Sequence, residues 1–160
     1  LISLFFDALE EQTPELREEK VKLNFIGDIS RFNKKLVKQI EKSKKLTDEY
    51  EPKLNLIIAA SYGGKWDIIN AVKKFYSDKK NKELTENSLE QYLETKRFPN
   101  PDLIIRSGGE QRLSNFYLWQ SSYSELYFSE KLWPDFDTKD FDIALMDFSN
   151  RKRKFGVETG

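Results

Sequence analysis

The spacing of apolar and polar residues divides the chain into alternating helices and strands. An apolar stripe with helical spacing opens the chain and predicts an amphipathic helix, which Thr13-Pro14 should end or kink, with Thr13 as the N-cap of a further turn. The stripe consists of Leu1, Leu4, Phe5, Ala8 and Leu9. Stripes of this kind most often belong to the hydrophobic core.

Two segments of strand, turn and helix follow. Apolar residues alternate with polar ones over residues 21–25, which predicts a strand ending in the turn Ile26-Gly27-Asp28, and Ser30 is predicted to cap the next helix. A buried strand over residues 54–60 should end in the glycine turn Ser61-Tyr62-Gly63-Gly64, before a third helix. The residues predicted to face inward from these two helices are Phe32, Leu36, Val37, Ile40, Ile68, Ile69 and Val72.

The remaining sequence predicts elements of both kinds. The polar stretch 77–99 should contain a connection and a short helix through Leu89 and Tyr92. Leu103-Ile104-Ile105 is a short β-branched run, typical of a buried strand in a parallel sheet. The last predicted elements are a helix over 114–123, a strand over 126–128 and a helix with Phe141, Ala144, Leu145 and Phe148 on its apolar face. The predicted fold class is therefore α/β, with a largely parallel central sheet flanked by helices.

The loop after the third predicted strand carries the clearest chemical signal. Arg106 is followed by Gly108 and Gly109, whose backbone can adopt positive φ and present N–H groups to an anion. Arg112 and Ser114 add a second guanidinium and a hydroxyl. Arginine suits a phosphate because its planar group donates two parallel hydrogen bonds and stays charged. The alternative is an ordinary strand-to-helix turn with two surface arginines.

Composition narrows the classes of function. The 160 residues are predicted to form a single domain over 1–160. The chain has no His and no Cys, which excludes thiol catalysis, Ser-His-Asp chemistry and imidazole or thiolate metal sites. Basic and acidic residues number 27 each, which argues against a nucleic-acid partner. Without an apolar run of membrane-spanning length, the protein is expected to be cytoplasmic.

The loop belongs to a longer series of motifs. These are Arg-x-Gly-Gly-Glu-x-Arg-x-Ser-Asn-Phe at 106–116, Leu-Trp-Gln at 118–120, Tyr-x-Glu-Leu-Tyr-Phe at 123–128 and Trp-Pro-Asp-Phe at 133–136. Further matching stretches are Ile26-Gly27-Asp28, residues 60–68 and Phe155-Gly156. Together they resemble the C-terminal signature of the cis-prenyltransferases, the undecaprenyl diphosphate synthase family, and they cover nearly the whole chain.

The resemblance implies a specific reaction. Such enzymes condense isopentenyl diphosphate with an allylic diphosphate such as farnesyl diphosphate, and the product is a long-chain cis-polyprenyl diphosphate that serves as a lipid carrier in cell-wall synthesis. Two adjacent diphosphates need fixed cations and donors to offset their repulsion. The resemblance assigns the isopentenyl diphosphate cradle to Arg106, Gly108, Gly109, Arg112 and Ser114, and Mg²⁺ to Glu125. It further implies a homodimer, with peripheral membrane association through the lipid product.

Several departures from the family pattern shape the expectation. The N-terminal Asp-Gly-Asn-x-Arg motif that carries the family's catalytic Asp and the later Ser-x-x-Asn-Trp motif do not occur in the sequence. We therefore expect an isopentenyl diphosphate half-site that lacks the N-terminal strands and the allylic half, and no condensation by these residues alone. Ser61 and Lys65 stand where the family has Asn and Arg, and Lys154 stands where relatives have the Arg of an Arg-x-Gly motif that reaches across the dimer.

Two alternatives remain open from the sequence. One is a non-catalytic subunit of a heteromeric cis-prenyltransferase, although such subunits tend to lose the arginine loop and keep the C-terminal Arg-x-Gly. The other is a generic phosphate-binding module, which would leave the Trp-Pro-Asp-Phe resemblance to chance. The homodimer is expected to form through Glu110, Gln111 and the strand around Tyr127, because an edge strand and exposed aromatic residues need cover.

Overall fold

The computed structural model describes residues 2–80 and 83–155, in which helices and strands alternate. The chain divides into two compact units, one up to Gly63 and one from Gly64. The first unit contains α1 (Ile2–Glu18), β1 (Val21–Ile26), α2 (Lys34–Leu46) and β2 (Leu54–Ala59). The second contains α3 (Gly64–Ser77), α4 (Glu86–Glu90), β3 (Leu103–Arg106), β4 (Glu125–Phe128) and α5 (Thr138–Ser149). A single domain over 1–160 stays a prediction.

Each unit contains a pair of parallel strands, which confirms the predicted α/β class. In the first unit β1 and β2 pair in register from Val21 opposite Leu54 to Ile26 opposite Ala59. In the second, β3 and β4 pair from Leu103 opposite Glu125 to Arg106 opposite Phe128. Because parallel strands end at the same edge, the turns after the two strands of each pair lie side by side.

The core of the first unit lies between α1, α2 and β1. Leu9, Leu36 and Ile40 form its buried cluster. Polar groups inside it are hydrogen-bonded: the Thr47 hydroxyl accepts from the Leu23 N–H at 3.0 Å and donates to the Ser43 carbonyl at 2.9 Å. The end of α2 is thereby bonded to β1, which satisfies groups that would otherwise be buried at a cost.

α1 continues through the proline that was predicted to end it. Pro14 lies inside the helix, and Thr13 is buried, with its hydroxyl 2.5 Å from the Leu9 carbonyl and 2.8 Å from the Ser43 hydroxyl. The prediction that the helix ends at Thr13-Pro14 was wrong, because packing against α2 outweighs the one backbone hydrogen bond that proline removes. A kink at this point stays a prediction. The predicted stripe member Leu1 lies outside the described residues.

The start of α2 also differs from the prediction. Asn33 caps the helix by accepting from the Leu36 N–H at 2.9 Å, whereas Ser30 lies in a short 3₁₀ turn and donates to the Asp28 carboxylate at 2.5 Å. Ser30 as the cap was therefore wrong: Asn33 stands directly before the helical residues with extended backbone, as a cap requires.

The predicted burial of β2 and α3 is only partly correct. Leu54 is 59% and Leu56 39% exposed, whereas Ile58, on the same face of β2, packs against the core cluster of the first unit. Ile69 is 55% exposed, because α3 buries Asp67, Ala71 and Phe75, which lie one turn apart. Ala71 packs with Leu89, Leu93 and Trp119 in the core of the second unit.

The last helix buries less of its apolar face than its spacing predicts. On α5, Ala144 is fully buried and Phe148 half-buried, but Phe141 and Leu145 are exposed. Among the helices of the described residues, none has the length and apolar character needed to cross a membrane.

Candidate anion-binding site

The predicted site lies at the carboxyl end of β3. Arg106 is the last residue of that strand, and its Nη1 donates to the Ser114 hydroxyl at 2.7 Å and to the Arg112 carbonyl oxygen. The guanidinium therefore closes residues 107–114 into a ring and brings together Arg106 and Ser114, two of the predicted site residues. The structure keeps a permanent cation at this end of the strand pair.

A cavity of about 280 Å³ opens beside this ring. Arg106, Arg112 and Ser114 form its polar part. Its apolar lining consists of Ile104, Ile105, Leu113, Phe116 and Phe128. Arg112 is exposed and forms an ion pair with Glu110, so an anion that approached Arg112 would compete with that carboxylate. Two guanidiniums beside an apolar wall suit a charged head group attached to a hydrocarbon.

The two glycines of the loop do not act as the sequence suggested. Gly108 and Gly109 have φ of 96° and 76°, as predicted for this turn. Their N–H groups, however, donate to the Lys131 carbonyl at 2.7 Å and the Ser129 carbonyl at 2.9 Å. The expectation that these N–H groups face an anion was wrong, because the turn after β4 uses both. A Cβ on Gly108 would meet no atom within 4 Å, so the backbone stays open to close approach.

Residues 114–123, predicted to be helical, form turns instead. Ser114, Asn115 and Tyr117 adopt left-handed backbone with φ of 49°, 62° and 45°. Each such residue costs on the order of 1–3 kcal/mol and persists only where its surroundings hold it. Here Asn115 accepts from two N–H groups at the start of α3, through its carbonyl from Gly64 at 2.6 Å and through its side chain from Lys65 at 2.9 Å.

A buried polar network holds the next part of this segment. Gln120 is almost fully buried and donates to Asp67 and Thr95, both at 3.0 Å, while Asp67 also accepts from the Glu94 N–H at 2.9 Å. Burial and then Asp67 raise the pKa of the Tyr117 phenol, so this ring stays neutral. Sequence reasoning missed Asn115, Asp67 and Gln120; the preference of Asn for left-handed backbone was the one available signal.

Glu125, the predicted metal ligand, is paired with an arginine. It accepts from Arg151 at 2.9 Å, and Arg151 also donates to Asp147 at 2.5 Å. These bonds raise the pKa of Arg151, with Glu125 as the larger cause. The strand register sets Glu125 beside Leu103, three residue pairs from Arg106, which corresponds to roughly 10 Å along the strand. Within this chain the structure does not bring Glu125 to the arginine ring.

The donors present are compatible with Mg²⁺ only in a limited way. No group of three or more acidic residues that could hold a metal occurs in the parts of the chain described. Mg²⁺ is often held by one or two carboxylates together with substrate phosphates and water, which Glu125 and Asp147 could supply if Arg151 moved away. The two carboxylates have the charge and the oxygen donors that Mg²⁺ requires, but Arg151 competes with the ion for both of them.

The aromatic and C-terminal residues of the motifs lie largely at the surface. Tyr123 is 63% and Trp133 76% exposed, whereas the Trp119 ring is half-buried and its Nε1 donates to Glu90 at 3.1 Å. Lys154 is exposed, and Gly156, the last residue of the family motif, lies outside the described residues.

Comparison with known proteins assigns the chain to a family. The family model described as putative undecaprenyl diphosphate synthase matches residues 1–156. The chain belongs to this family. The predicted resemblance is thus confirmed over nearly the whole sequence, including the arginine loop.

Relatives at the level of whole proteins agree. The ditrans,polycis-undecaprenyl-diphosphate synthase of Coxiella burnetii is 46% identical, over 98% of this chain and 68% of that protein. An isoprenyl transferase of Neisseria meningitidis serogroup A is also 46% identical, over 98% of this chain and 62% of that protein. The chain therefore spans about two thirds of the length of these curated relatives.

Solved structures show the same fold. The lavandulyl diphosphate synthase of Lavandula x intermedia, in complex with dimethylallyl diphosphate, superposes with a TM-score of 0.92 at 36% identity, covering 98% of this chain and 70% of that one. A probable undecaprenyl diphosphate synthase of Campylobacter jejuni gives a TM-score of 0.87 at 36% identity, covering 97% and 72%. Both neighbours support the α/β assignment.

Proposed function

We propose that the protein is a cis-prenyltransferase of the undecaprenyl type, which condenses isopentenyl diphosphate with an allylic diphosphate such as farnesyl diphosphate. Support comes from the activity for which the Coxiella relative is named, that of a synthase specific for (2E,6E)-farnesyl diphosphate, and from the dimethylallyl diphosphate bound to the Lavandula neighbour. The observation that carries the proposal is the Arg106 guanidinium bonded to Ser114 at the mouth of a largely apolar cavity.

The arginine ring is proposed to hold the diphosphate of isopentenyl diphosphate. Arg106 supplies a fixed cation whose orientation the Ser114 hydroxyl maintains, and Arg112 supplies a second cation by exchanging Glu110 for the ligand. The apolar lining formed by Leu113 and Phe116 accommodates the isopentenyl carbons. The chemistry then proceeds as the family's reaction requires: the allylic diphosphate ionises, the isopentenyl double bond attacks the allylic carbon, and a proton leaves to form the new cis double bond.

Mg²⁺, the homodimer and the location belong to the same proposal. Mg²⁺ would neutralise diphosphate charge, with Glu125 as its carboxylate ligand once Arg151 is displaced. Exposed aromatic side chains at Tyr123 and Trp133 support a partner surface, for which a second copy is proposed. We further propose that the protein acts in the cytoplasm, with membrane association limited to its lipid product.

The cradle is tested by measuring the affinity of the protein for isopentenyl diphosphate by titration calorimetry. Arg106→Ala should weaken binding roughly ten- to a hundredfold, because a charge-assisted contact contributes about 1.5–3 kcal/mol. Arg106→Lys should recover only part of this loss, since the charge returns without the planar pair of donors. The matched control is Arg17→Ala, which removes an exposed arginine paired with Glu49 in the first unit. Equal binding by the Arg106→Ala and Arg17→Ala proteins would contradict the proposal.

A further inference from the structure

The segment that carries the partners of Arg106 has no regular secondary structure of its own. We call residues 112–117 the strap. It supplies the Arg112 carbonyl and the Ser114 hydroxyl that orient the Arg106 guanidinium. Its left-handed residues are unfavourable in isolation, so an interaction outside the strap must hold it in place.

The start of α3 provides that interaction. Two N–H groups at the start of this helix, those of Gly64 and Lys65, donate to the carbonyl and the side chain of Asn115. Such groups have no partner within their own helix, so both sides gain from the bonds. Asn115 therefore caps α3 from a position 50 residues further along the chain.

Close packing next to the strap reinforces its contact with the start of α3. A Cβ on Gly64 would lie 2.6 Å from the Leu118 Cγ and 3.0 Å from the Leu118 N–H nitrogen. The absence of a side chain at Gly64 is what allows the backbone after the strap to approach α3 so closely. Two residues further on, Gln120 bonds to Asp67 of the same helix. The strap thus sits against the first turn of α3 in one arrangement.

We propose that Asn115 is a positioning residue for diphosphate binding: by capping α3 it holds Ser114 and the Arg112 carbonyl where they orient Arg106. The proposal rests on the proposed function, since it takes the arginine ring to be the diphosphate site. It assigns α3 an indirect role, because the N–H groups of Gly64 and Lys65 are directed to Asn115. Asn suits this position because it tolerates left-handed backbone and its side chain accepts a hydrogen bond.

The side-chain contribution can be separated from backbone strain by substitution with glycine. Asn115→Gly keeps the left-handed conformation accessible but removes the acceptor for Lys65. The matched control is Asn33→Gly, which removes a side-chain cap of the same kind from α2 in the first unit. The probes are inorganic diphosphate and isopentenyl diphosphate, titrated at constant ionic strength, with the melting temperature of each variant measured in parallel.

We expect Asn115→Gly to weaken the binding of both probes roughly tenfold, because a misplaced donor loses most of a charge-assisted contact. Asn33→Gly should lower the melting temperature to a similar degree and leave both affinities unchanged. In an Arg106→Ala background, Asn115→Gly should weaken binding less than about twofold, since its effect acts through Arg106.

The outcomes distinguish this inference from the proposed function. If Arg106→Ala itself leaves the affinities unchanged, the proposed diphosphate site is wrong, whatever Asn115 does. If Arg106→Ala weakens binding but Asn115→Gly does not, the positioning role is wrong and the proposed site stands. The same conclusion follows if Asn115→Gly weakens binding equally in the unaltered protein and in the Arg106→Ala variant.

Discussion

The two parallel strand pairs end in glycine turns that look alike in sequence and differ in structure. After β1, Gly27 has φ of 110°, and a Cβ there would overlap the Ala60 carbonyl oxygen. After β3, Gly108 also has positive φ, but a Cβ there would meet no atom within 4 Å. The first turn is filled by backbone, whereas the second leaves space beside Gly108, although a Cβ on the adjacent Gly109 would lie 2.8 Å from the Glu130 carboxylate.

The charges at the two turns differ as well. The first carries the Asp28 carboxylate, which accepts from the Ser30 hydroxyl, and the second carries Arg106 and Arg112. A glycine at the carboxyl end of a parallel strand is therefore no sign of a ligand by itself. Open space and a guanidinium of matching charge distinguish the candidate site from a packed turn.

The largest effect expected from this comparison is a loss of stability at Gly27, in the turn after β1. Gly27→Ala should lower the free energy of unfolding by more than about 3 kcal/mol, because positive φ and overlap with backbone atoms act together. Gly108→Ala should cost only about 1–2 kcal/mol, from φ alone. Urea denaturation of both variants would measure the difference, and equal losses would show that the two turns are equivalent.

The next effect concerns stability at the contact between Gly64 of α3 and Leu118. Gly64→Ala should destabilise the protein by roughly 1–3 kcal/mol, because the new methyl group overlaps the Leu118 side chain. Combining it with Leu118→Ala should remove part of that overlap, so the double variant should be more stable than the sum of the two single losses predicts. Strict additivity in denaturation experiments would contradict the close approach of these residues.

A smaller effect is expected at the amino end of β4. Glu125→Gln should cost about 1 kcal/mol of stability, because Arg151 loses its larger partner. The control Glu41→Gln, in an exposed pair with Lys44, should have no measurable effect. If Glu125 also holds Mg²⁺, its substitution should weaken the Mg²⁺ dependence of isopentenyl diphosphate binding. A stability loss with an unaltered Mg²⁺ response would assign Glu125 to the ion pair alone.

The smallest effect is the pH dependence of stability through Asp140, in the first turn of α5. The Asp137 N–H and then the Lys131 ammonium hold the pKa of Asp140 below its ordinary value of 3.8. A depressed folded pKa contributes stability that is present above 3.8 and lost as the pH falls through the folded value. Asp140→Asn should therefore lower the melting temperature at pH 7, and this deficit should shrink as the pH falls below 3.8. Asp142→Asn on the same helix is the control, and a deficit for Asp140→Asn that stays constant as the pH falls below 3.8 would contradict this account.

Much of the fold could be predicted from the sequence because its signals are local. The alternation of apolar residues located β1 to within a residue, and short apolar stretches located β2 and β3. The arginine loop was found because its residue types and spacing lie within a few positions of each other. Arg106 and Ser114, eight residues apart, do come together as a pair.

What the tertiary structure decided depends on bonds between distant residues. Residues 114–123 have no helix because Asn115 caps α3, whose first residue is Gly64. The Lys65 N–H of that helix donates to the Asn115 side chain, 50 residues further along the chain. The turns after β3 and β4 meet at one edge of the sheet, so the N–H groups of Gly108 and Gly109 donate to the carbonyls of Lys131 and Ser129. These N–H groups therefore do not bind a ligand. Local sequence patterns report preferences of about 1 kcal/mol or less per residue, and specific long-range hydrogen bonds in a packed interior override them.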